Sequence, residues 1–195
     1  MKLFLITQPF FFDGETALVN TMFSNGLETL HLRKPNATAA QLECFMLGIA
    51  SEWLCRIVVH SHFELVGKFG LCGAHLGKGR SLNIDKFKGT RSFSCHSLQE
   101  VANCKPFYDY VFLSPVFDSI SKCSYLSAFS ETEIDEASLC GVIDSKVIAL
   151  GGVCHNNIAL VARMGFGGCA VLGDVWGSEC PIDRLRELQE AVREV

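Results

Sequence analysis

Short apolar segments recur along the chain, and each is followed by a stretch with helical periodicity. Several are continuously apolar rather than alternating, which is typical of parallel strands covered on both faces. Eight such segments in regular alternation with helical patterns favour a (β/α)8 barrel, an α/β fold, over an open doubly wound sheet. The predicted strands are the segments 3–7, 28–32, 56–60, 71–76, 92–96, 110–114, 146–150 and 168–172.

The composition bounds the classes of function that fit such a fold. The chain has 195 residues, of which 49% are hydrophobic and 19% are charged, so we expect one domain over residues 1–195 with a substantial core. A net charge of -4 argues against nucleic acid as a partner. We also expect no membrane partner, because no apolar stretch reaches the roughly 18 residues that span a bilayer.

The chain carries ten cysteines, spread evenly and without a C-x-x-C pair. Several lie in or beside apolar runs, where a free cysteine packs as a small hydrophobic residue. We therefore interpret them as reduced thiols and predict a cytoplasmic protein. The sequence leaves open whether the chain forms a homo-oligomer.

Glycine pairs and hydroxyl groups follow the later strands of the predicted barrel. Gly151 and Gly152 come after the seventh strand, and Leu172 and Gly173 end the eighth. Such turns let backbone N–H groups approach an anion, and barrels build their phosphate sites at this place. The segment 113–122, "LSPVFDSISK", adds hydroxyls and a lysine that suit phosphate oxygens. We therefore predict a phosphate site at the C-terminal ends of the strands.

Histidines collect at the same predicted end of the barrel. His60 and His62 form an H-x-H pair after the third strand, which fits a metal chelate, an acid–base or substrate contact, or a structural role at the rim. A third ligand with a recognisable spacing is missing from the sequence, so we predict no metal site. His31, His75 and His96 follow or end other strands and would have to converge through the fold alone.

The order of several motifs resembles the thiamin phosphate synthase family, including its thiazole tautomerase branch. The resemblance runs nearly end to end and implies a (β/α)8 TIM barrel acting in thiamin synthesis. It implies coupling of hydroxymethylpyrimidine diphosphate to thiazole phosphate, with release of diphosphate and with Mg2+ as cofactor. The motifs are "LHLRKP", "HLGKGR", "SFSCHS", "DYVFLSPVFDSISK", "VIALGGV" and "GFGGCAVLGDVW".

The resemblance assigns roles position by position. Arg33 and Lys122 match the family's diphosphate contacts, and Ser94 matches the serine before its histidine, His96. Serines stand where the family has threonines, and they keep the hydroxyl group. The part of the site that would bind thiazole phosphate therefore matches the family pattern. Its residues are Ser119, Ile120 and Ser121 in the family's T-x-T loop, Gly151 and Gly152 in the glycine turn, and Leu172 and Gly173 in the last turn.

The departures from the family pattern fall in the diphosphate half. His31 replaces a glutamine on strand two, and Lys34 stands beside the position of a family lysine. The two magnesium aspartates are replaced by Ser61 and Arg80. Neither side chain can replace a carboxylate as a ligand of Mg2+, so we expect cations to stabilise the diphosphate instead.

We therefore expect a transferase that binds small phosphorylated substrates, with Arg33, Lys122 and His60 as its catalytic residues. One alternative is thiazole tautomerisation. The family's base for that reaction falls at Pro115, so His31, His60 or His96 would have to supply it. Another alternative is a non-catalytic paralogue that binds thiazole phosphate and has lost the metal half.

Overall fold

The computed structural model describes residues 1–79, 87–118 and 128–195. Eight parallel strands close into a barrel in the order of the sequence, β1 to β8. The predicted barrel is confirmed, and each predicted strand lies within two residues of an observed one. The strands are β1 Lys2–Ile6, β2 Thr29–Leu32, β3 Ile57–Val59, β4 Gly73–Leu76, β5 Thr90–Cys95, β6 Tyr110–Leu113, β7 Val147–Leu150 and β8 Gly168–Val171.

Several of the helices in the described ranges begin at a residue that caps them. Thr38 and Ser130 each form a capping box with the residue three positions on, and Pro181 stands in the first turn of the last helix. No helix in the described ranges is long and apolar enough to cross a bilayer. The helices are α1 Glu15–Ser24, α2 Ala39–Leu47, α3 Glu64–Phe69, α4 Leu98–Cys104, α5 Glu131–Leu139, α6 Ile158–Arg163, α7 Gly173–Trp176 and α8 Pro181–Arg193.

The strands bury two distinct sets of side chains because alternate residues face opposite sides. One set points outwards and packs against the helices, forming the larger hydrophobic cluster. The other points into the barrel, where an apolar group contains Phe4, Ile6, Tyr110, Phe112 and Ile148. Barrel interiors are usually filled by branched aliphatic residues. Here β2 to β5 contribute imidazoles and hydroxyls instead, from His31, His60, His75, Ser92 and Ser94.

Strands β4 and β5 approach closely at Gly73. Gly73 lies opposite Thr90 in the barrel register. A Cβ built on Gly73 would overlap the backbone carbonyl of Thr90, which cannot move away as a flexible side chain could. The absence of a side chain at Gly73 is therefore a condition for this strand pair.

A buried ion pair joins the end of β2 to the start of α1. The Lys34 ammonium donates to both carboxylate oxygens of Glu15, at 2.6 and 2.8 Å, and to the Phe10 carbonyl at 2.6 Å. Burial raises the pKa of Glu15 and lowers that of Lys34, and in both cases the bond between them opposes this effect. The sequence interpretation placed Lys34 on the substrate. In the structure its three N–H donors are all occupied by protein.

We predict that Gly73→Ala destabilises the barrel by about 1–3 kcal/mol because the new methyl group meets backbone. Urea unfolding followed by circular dichroism measures this change. Gly67→Ala in α3 is the matched control, since a Cβ there meets nothing within 4 Å. That control should be neutral or more stable by up to about 1 kcal/mol. Equal midpoints for both variants would contradict the close approach at Gly73.

We predict that Glu15→Gln destabilises the protein by about 3–5 kcal/mol because it leaves the buried Lys34 ammonium without its counter-charge. Glu43→Gln is the control, because Glu43 pairs with Lys68 at 2.7 Å where both side chains are partly exposed. Its effect should stay within about 1 kcal/mol. Comparable losses in the two variants, measured by urea unfolding, would show that the buried pair has no special role.

Candidate active site

A cavity of about 250 Å³ opens at the C-terminal ends of β2 to β5. This is the end of the barrel at which the chemistry of (β/α)8 enzymes is placed. The lining of this pocket includes Arg33, His60, Ser61, His75, Ser94 and His96.

Three histidines converge at the base of the pocket. His31 on β2, His60 after β3 and His75 on β4 each offer a ring nitrogen, and these atoms lie within 4.8 Å of one another. Nδ1 of His31 is 3.0 Å from Nε2 of His60, and Nε2 of His31 is 2.7 Å from the Tyr110 hydroxyl. His31 and His75 are buried, while His60 is half-buried at the pocket wall.

Serine hydroxyls hold the third ring in place. Nδ1 of His75 is 2.8 Å from the Ser92 hydroxyl, and its Nε2 is 2.7 Å from the Ser94 hydroxyl. The His75 ring stacks on that of His60, with 4.4 Å between the ring centroids. Ser94 therefore contacts both the histidine group and the pocket, as the family resemblance would require of a substrate-facing serine.

Burial controls the charge of His31 and Tyr110. It lowers the pKa of His31 well below its usual range, and His75 nearby lowers it further. Burial also raises the pKa of the Tyr110 phenol, an effect that the hydrogen bond from Ser92 partly offsets. His31 and Tyr110 are therefore neutral near pH 7, and their bond joins two uncharged groups.

The H-x-H pair seen in the sequence does not act as a pair. His62 has a left-handed backbone, with φ of 54°, which turns its ring away from His60. Its Nε2 lies 3.0 Å from the Ala37 carbonyl and its Nδ1 lies 3.3 Å from Glu64. The partners of His60 come from neighbouring strands instead. The sequence signal for this histidine group is an inward-facing histidine on, or directly after, each of three successive strands. The spacing of His60 and His62 within a single segment does not indicate it.

His96 stands apart from the three-histidine group. Its ring is exposed, and Nδ1 lies 3.1 Å from the Ser114 carbonyl. The Glu100 carboxylate accepts a hydrogen bond from the His96 backbone N–H at 2.7 Å. His96 therefore reaches the pocket from the β5 side, where a substrate can contact it.

Arg33 is an exposed cation at the rim of the pocket. Its side chain is exposed at the rim, and its guanidinium has no hydrogen-bond or ion-pair partner among the residues described. Its backbone is fixed by Thr7, whose hydroxyl accepts from the Arg33 N–H at 3.0 Å. An exposed guanidinium on a fixed backbone suits the oxygens of a diphosphate.

The glycine turn after β7 lies beside the loop that follows β6. Gly151 and Gly152 have φ of 90° and 65°, and a Cβ on Gly151 would come within 2.8 Å of Pro115. The Gly151 carbonyl accepts from the Phe117 N–H at 3.1 Å. The neighbouring Leu172 precedes α7, a short helix that starts at Gly173 where the sequence indicated only a turn. The two predicted phosphate turns therefore lie on adjacent strands.

Several predicted residues lie outside the described ranges. They are Ser119, Ile120, Ser121 and Lys122 of the loop after β6, and Arg80 after β4.

Mg2+, the ion that the family resemblance implies, does not fit the donor set of the pocket. It binds oxygen ligands with octahedral geometry and uses carboxylates in proteins. In the part of the chain that the structure describes, the lining contains imidazoles, hydroxyls and cationic side chains but no carboxylate. No step of the chemistry below is therefore assigned to this ion.

Comparisons with known proteins agree with the barrel and its motifs. A family model described as "Thiamine monophosphate synthase" matches residues 3–175. The crystal structure of thiamine phosphate pyrophosphorylase from Bacteroides thetaiotaomicron has 38% sequence identity and a TM-score of 0.89, covering 99% of this chain and 98% of that chain.

More distant proteins show the same relation. The thiamine phosphate pyrophosphorylase of Pyrococcus furiosus shares the fold, with a TM-score of 0.81 at 20% identity, covering 99% of this chain and 96% of that one. Thiamine-phosphate synthase of Limosilactobacillus reuteri is 24% identical over 184 residues, which are 88% of this chain and 85% of that protein. The resemblance found in the motifs is confirmed, and the chain belongs to the thiamin phosphate synthase family.

Proposed function

We propose that the chain couples hydroxymethylpyrimidine diphosphate to thiazole phosphate and releases diphosphate. The observation that carries this proposal is the placement of two anion-binding features at one end of the barrel. Arg33 lies at the rim of the pocket formed by β2 to β5, and the Gly151–Gly152 turn follows β7. Family membership over most of the chain supports the same reaction.

The reaction makes one bond and breaks another. The C–O bond between the pyrimidine methylene and the diphosphate breaks, and its electron pair leaves with the diphosphate. The lone pair of the thiazole nitrogen then forms the C–N bond. Negative charge grows on the departing diphosphate, so cations beside it stabilise the transition state more than the bound substrate. We assign this role to Arg33, and to Lys122 by the family resemblance.

The thiazole phosphate would bind at the other side of the barrel mouth. A Cβ on Gly151 or Gly152 would meet the loop after β6, so glycine is required for this turn to pack beside that loop. We propose that the backbone N–H groups of the turn bind the phosphate. Leu172 and Gly173 follow the adjacent strand, β8, at the start of α7. By resemblance, the hydroxyls of Ser119 and Ser121 would complete the set, with Ile120 between them.

His60, Ser94 and His96 reach the pocket and are the proposed substrate contacts of its diphosphate side. His31 is fully buried beneath His60, so we now assign it a role through His60 rather than a direct contact. Lys34 leaves the set because its ammonium is bound to Glu15. The proposed partners are small phosphorylated molecules, and the proposed location is the cytoplasm.

The proposal is tested by mixing the protein with both substrates and a divalent cation and measuring diphosphate release. Turnover with formation of thiamin phosphate supports it. Absence of turnover, with thiazole phosphate still raising the melting temperature, would overturn it in favour of a non-catalytic binder. Tautomerisation of the thiazole carboxylate phosphate in place of coupling would overturn it in favour of the isomerase.

We predict that Arg33→Met lowers kcat/KM for the pyrimidine diphosphate by about 10–100-fold, because a hydrogen-bonded charge contributes about 1.5–3 kcal/mol. The loss should fall mainly on kcat, since the charge to be stabilised grows in the transition state. Arg163→Met at the end of α6 is the matched control, because this arginine is exposed and pairs only with Glu131 at 3.6 Å among the described residues. Unchanged kinetics in Arg33→Met would remove Arg33 from the site.

A further inference from the structure

Three imidazoles on successive strands point to one place in the barrel. We propose that His31, His60 and His75 form a binding site for one divalent transition-metal ion of the zinc class, with an open coordination position facing the pocket. The ligand nitrogens already lie within 4.8 Å of one another. His60 and His75 line the pocket, which gives an ion a route to the buried His31.

The present distances between the ligand nitrogens require a small rearrangement before an ion can bind. Metal–nitrogen bonds of about 2.0–2.1 Å in a tetrahedral site place the ligand nitrogens about 3.3 Å apart. Nδ1 of His31 and Nε2 of His60 are 3.0 Å apart, so this edge of the site is nearly formed. The remaining nitrogen has to move by about 1–2 Å, which a rotation of the His75 side chain can supply.

The groups around the histidines match those that support metal ligands elsewhere. A metal-bound histidine usually gives its second ring nitrogen to a hydrogen-bond partner, which fixes the ring and its tautomer. Nε2 of His31 has the Tyr110 hydroxyl at 2.7 Å. Both nitrogens of His75 are bound to serines, so binding an ion breaks one of these hydrogen bonds and leaves the other serine as the outer partner. The outer partner is therefore already in place for His31, and His75 can keep one after its ring rotates.

The donor set selects the class of ion. Imidazole nitrogen suits zinc, copper, nickel and iron, whereas Mg2+ and Ca2+ need oxygen ligands. Three protein ligands with an open position are the pattern of catalytic rather than structural zinc. Arg33 and Ser94 line the same pocket as His60 and His75, so water or a phosphate oxygen bound at the open position would lie near them. That the ion contacts the diphosphate rests on the proposed function, whereas the site itself does not.

The test uses Co2+ as a spectroscopic substitute for Zn2+ on the full-length, metal-free protein. We expect saturation at one equivalent, with the visible absorption bands of tetrahedral Co2+. His60→Gln and His75→Gln should each weaken binding by at least about tenfold because each removes a ligand. His62→Gln is the matched control, because the His62 ring is hydrogen-bonded to Glu64 and to the Ala37 carbonyl. This variant should bind Co2+ as the unaltered protein does.

A fourth variant separates orientation from ligation. Tyr110→Phe keeps the aromatic packing and all three ligands but removes the hydroxyl that holds His31. We expect binding to weaken by about 10–100-fold, as for other outer-shell partners. Urea unfolding of each variant checks that it is folded. If His60→Gln or His75→Gln fails to fold, the comparison with His62→Gln is made with Tyr110→Phe instead.

Three outcomes would overturn the proposal. They are the absence of saturable binding, an equal loss in His62→Gln and His60→Gln, or a near-ultraviolet thiolate band that places Co2+ on cysteine. Diphosphate release is measured separately on the same preparations. Saturable binding without turnover would leave the metal site standing and overturn the proposed function. Turnover with Mg2+ in a preparation that binds no Co2+ would support the proposed function and overturn the metal site.

Discussion

The register of the eight parallel strands decides which side chains meet in this protein. Val59 lies opposite Ala74, so the residues that follow them, His60 and His75, enter the barrel side by side. His75 in turn lies opposite Ser92, which provides one of its hydrogen bonds. A shift of one residue in either pairing would turn these rings towards the helices. The polar group, the pocket above it and the position of Arg33 all depend on this register.

The polar interior divides the barrel mouth into two chemically different halves. On one side, a glycine turn follows β7 and the short helix α7 begins directly after β8, at the place where barrels build their phosphate sites. On the other side, β2 to β5 bring imidazoles and hydroxyls, and the described lining offers no carboxylate to a hard cation. The nitrogen-ligated ion that we propose would supply cationic charge on this second side of the barrel mouth.

Two adjacent cations that follow β2 have different environments. Lys34 is neutralised by Glu15, which fixes the start of α1 against the barrel. Arg33, its neighbour in sequence, points to the rim and has no such partner in the ranges described. A buried ammonium needs a paired carboxylate, whereas an exposed guanidinium is stable in water without a partner and can bind an anionic ligand. This contrast explains why only one of the two cations is assigned to substrate.

Much of the fold could be predicted from sequence because local patterns carry it. Continuous apolar segments located all eight strands within two residues, and the glycine pair located the turn after β7. The role of Lys34 could not be predicted, because Glu15 lies on a different element and pairs with it only in the folded chain. The histidine group was missed for the same reason. Its three members lie far apart in sequence, and only strand register brings their ring nitrogens within 4.8 Å.

We propose that the inward-facing histidines form a metal site and do not merely fill the barrel with hydrogen-bonded side chains. Crystals grown with Zn2+ and inorganic diphosphate, with anomalous diffraction recorded on both sides of the zinc edge, test this proposal. We expect one anomalous peak within bonding distance of His31, His60 and His75, with a diphosphate oxygen on its pocket side. An unoccupied histidine group, with its hydrogen bonds unchanged and zinc bound only at surface side chains, would contradict it.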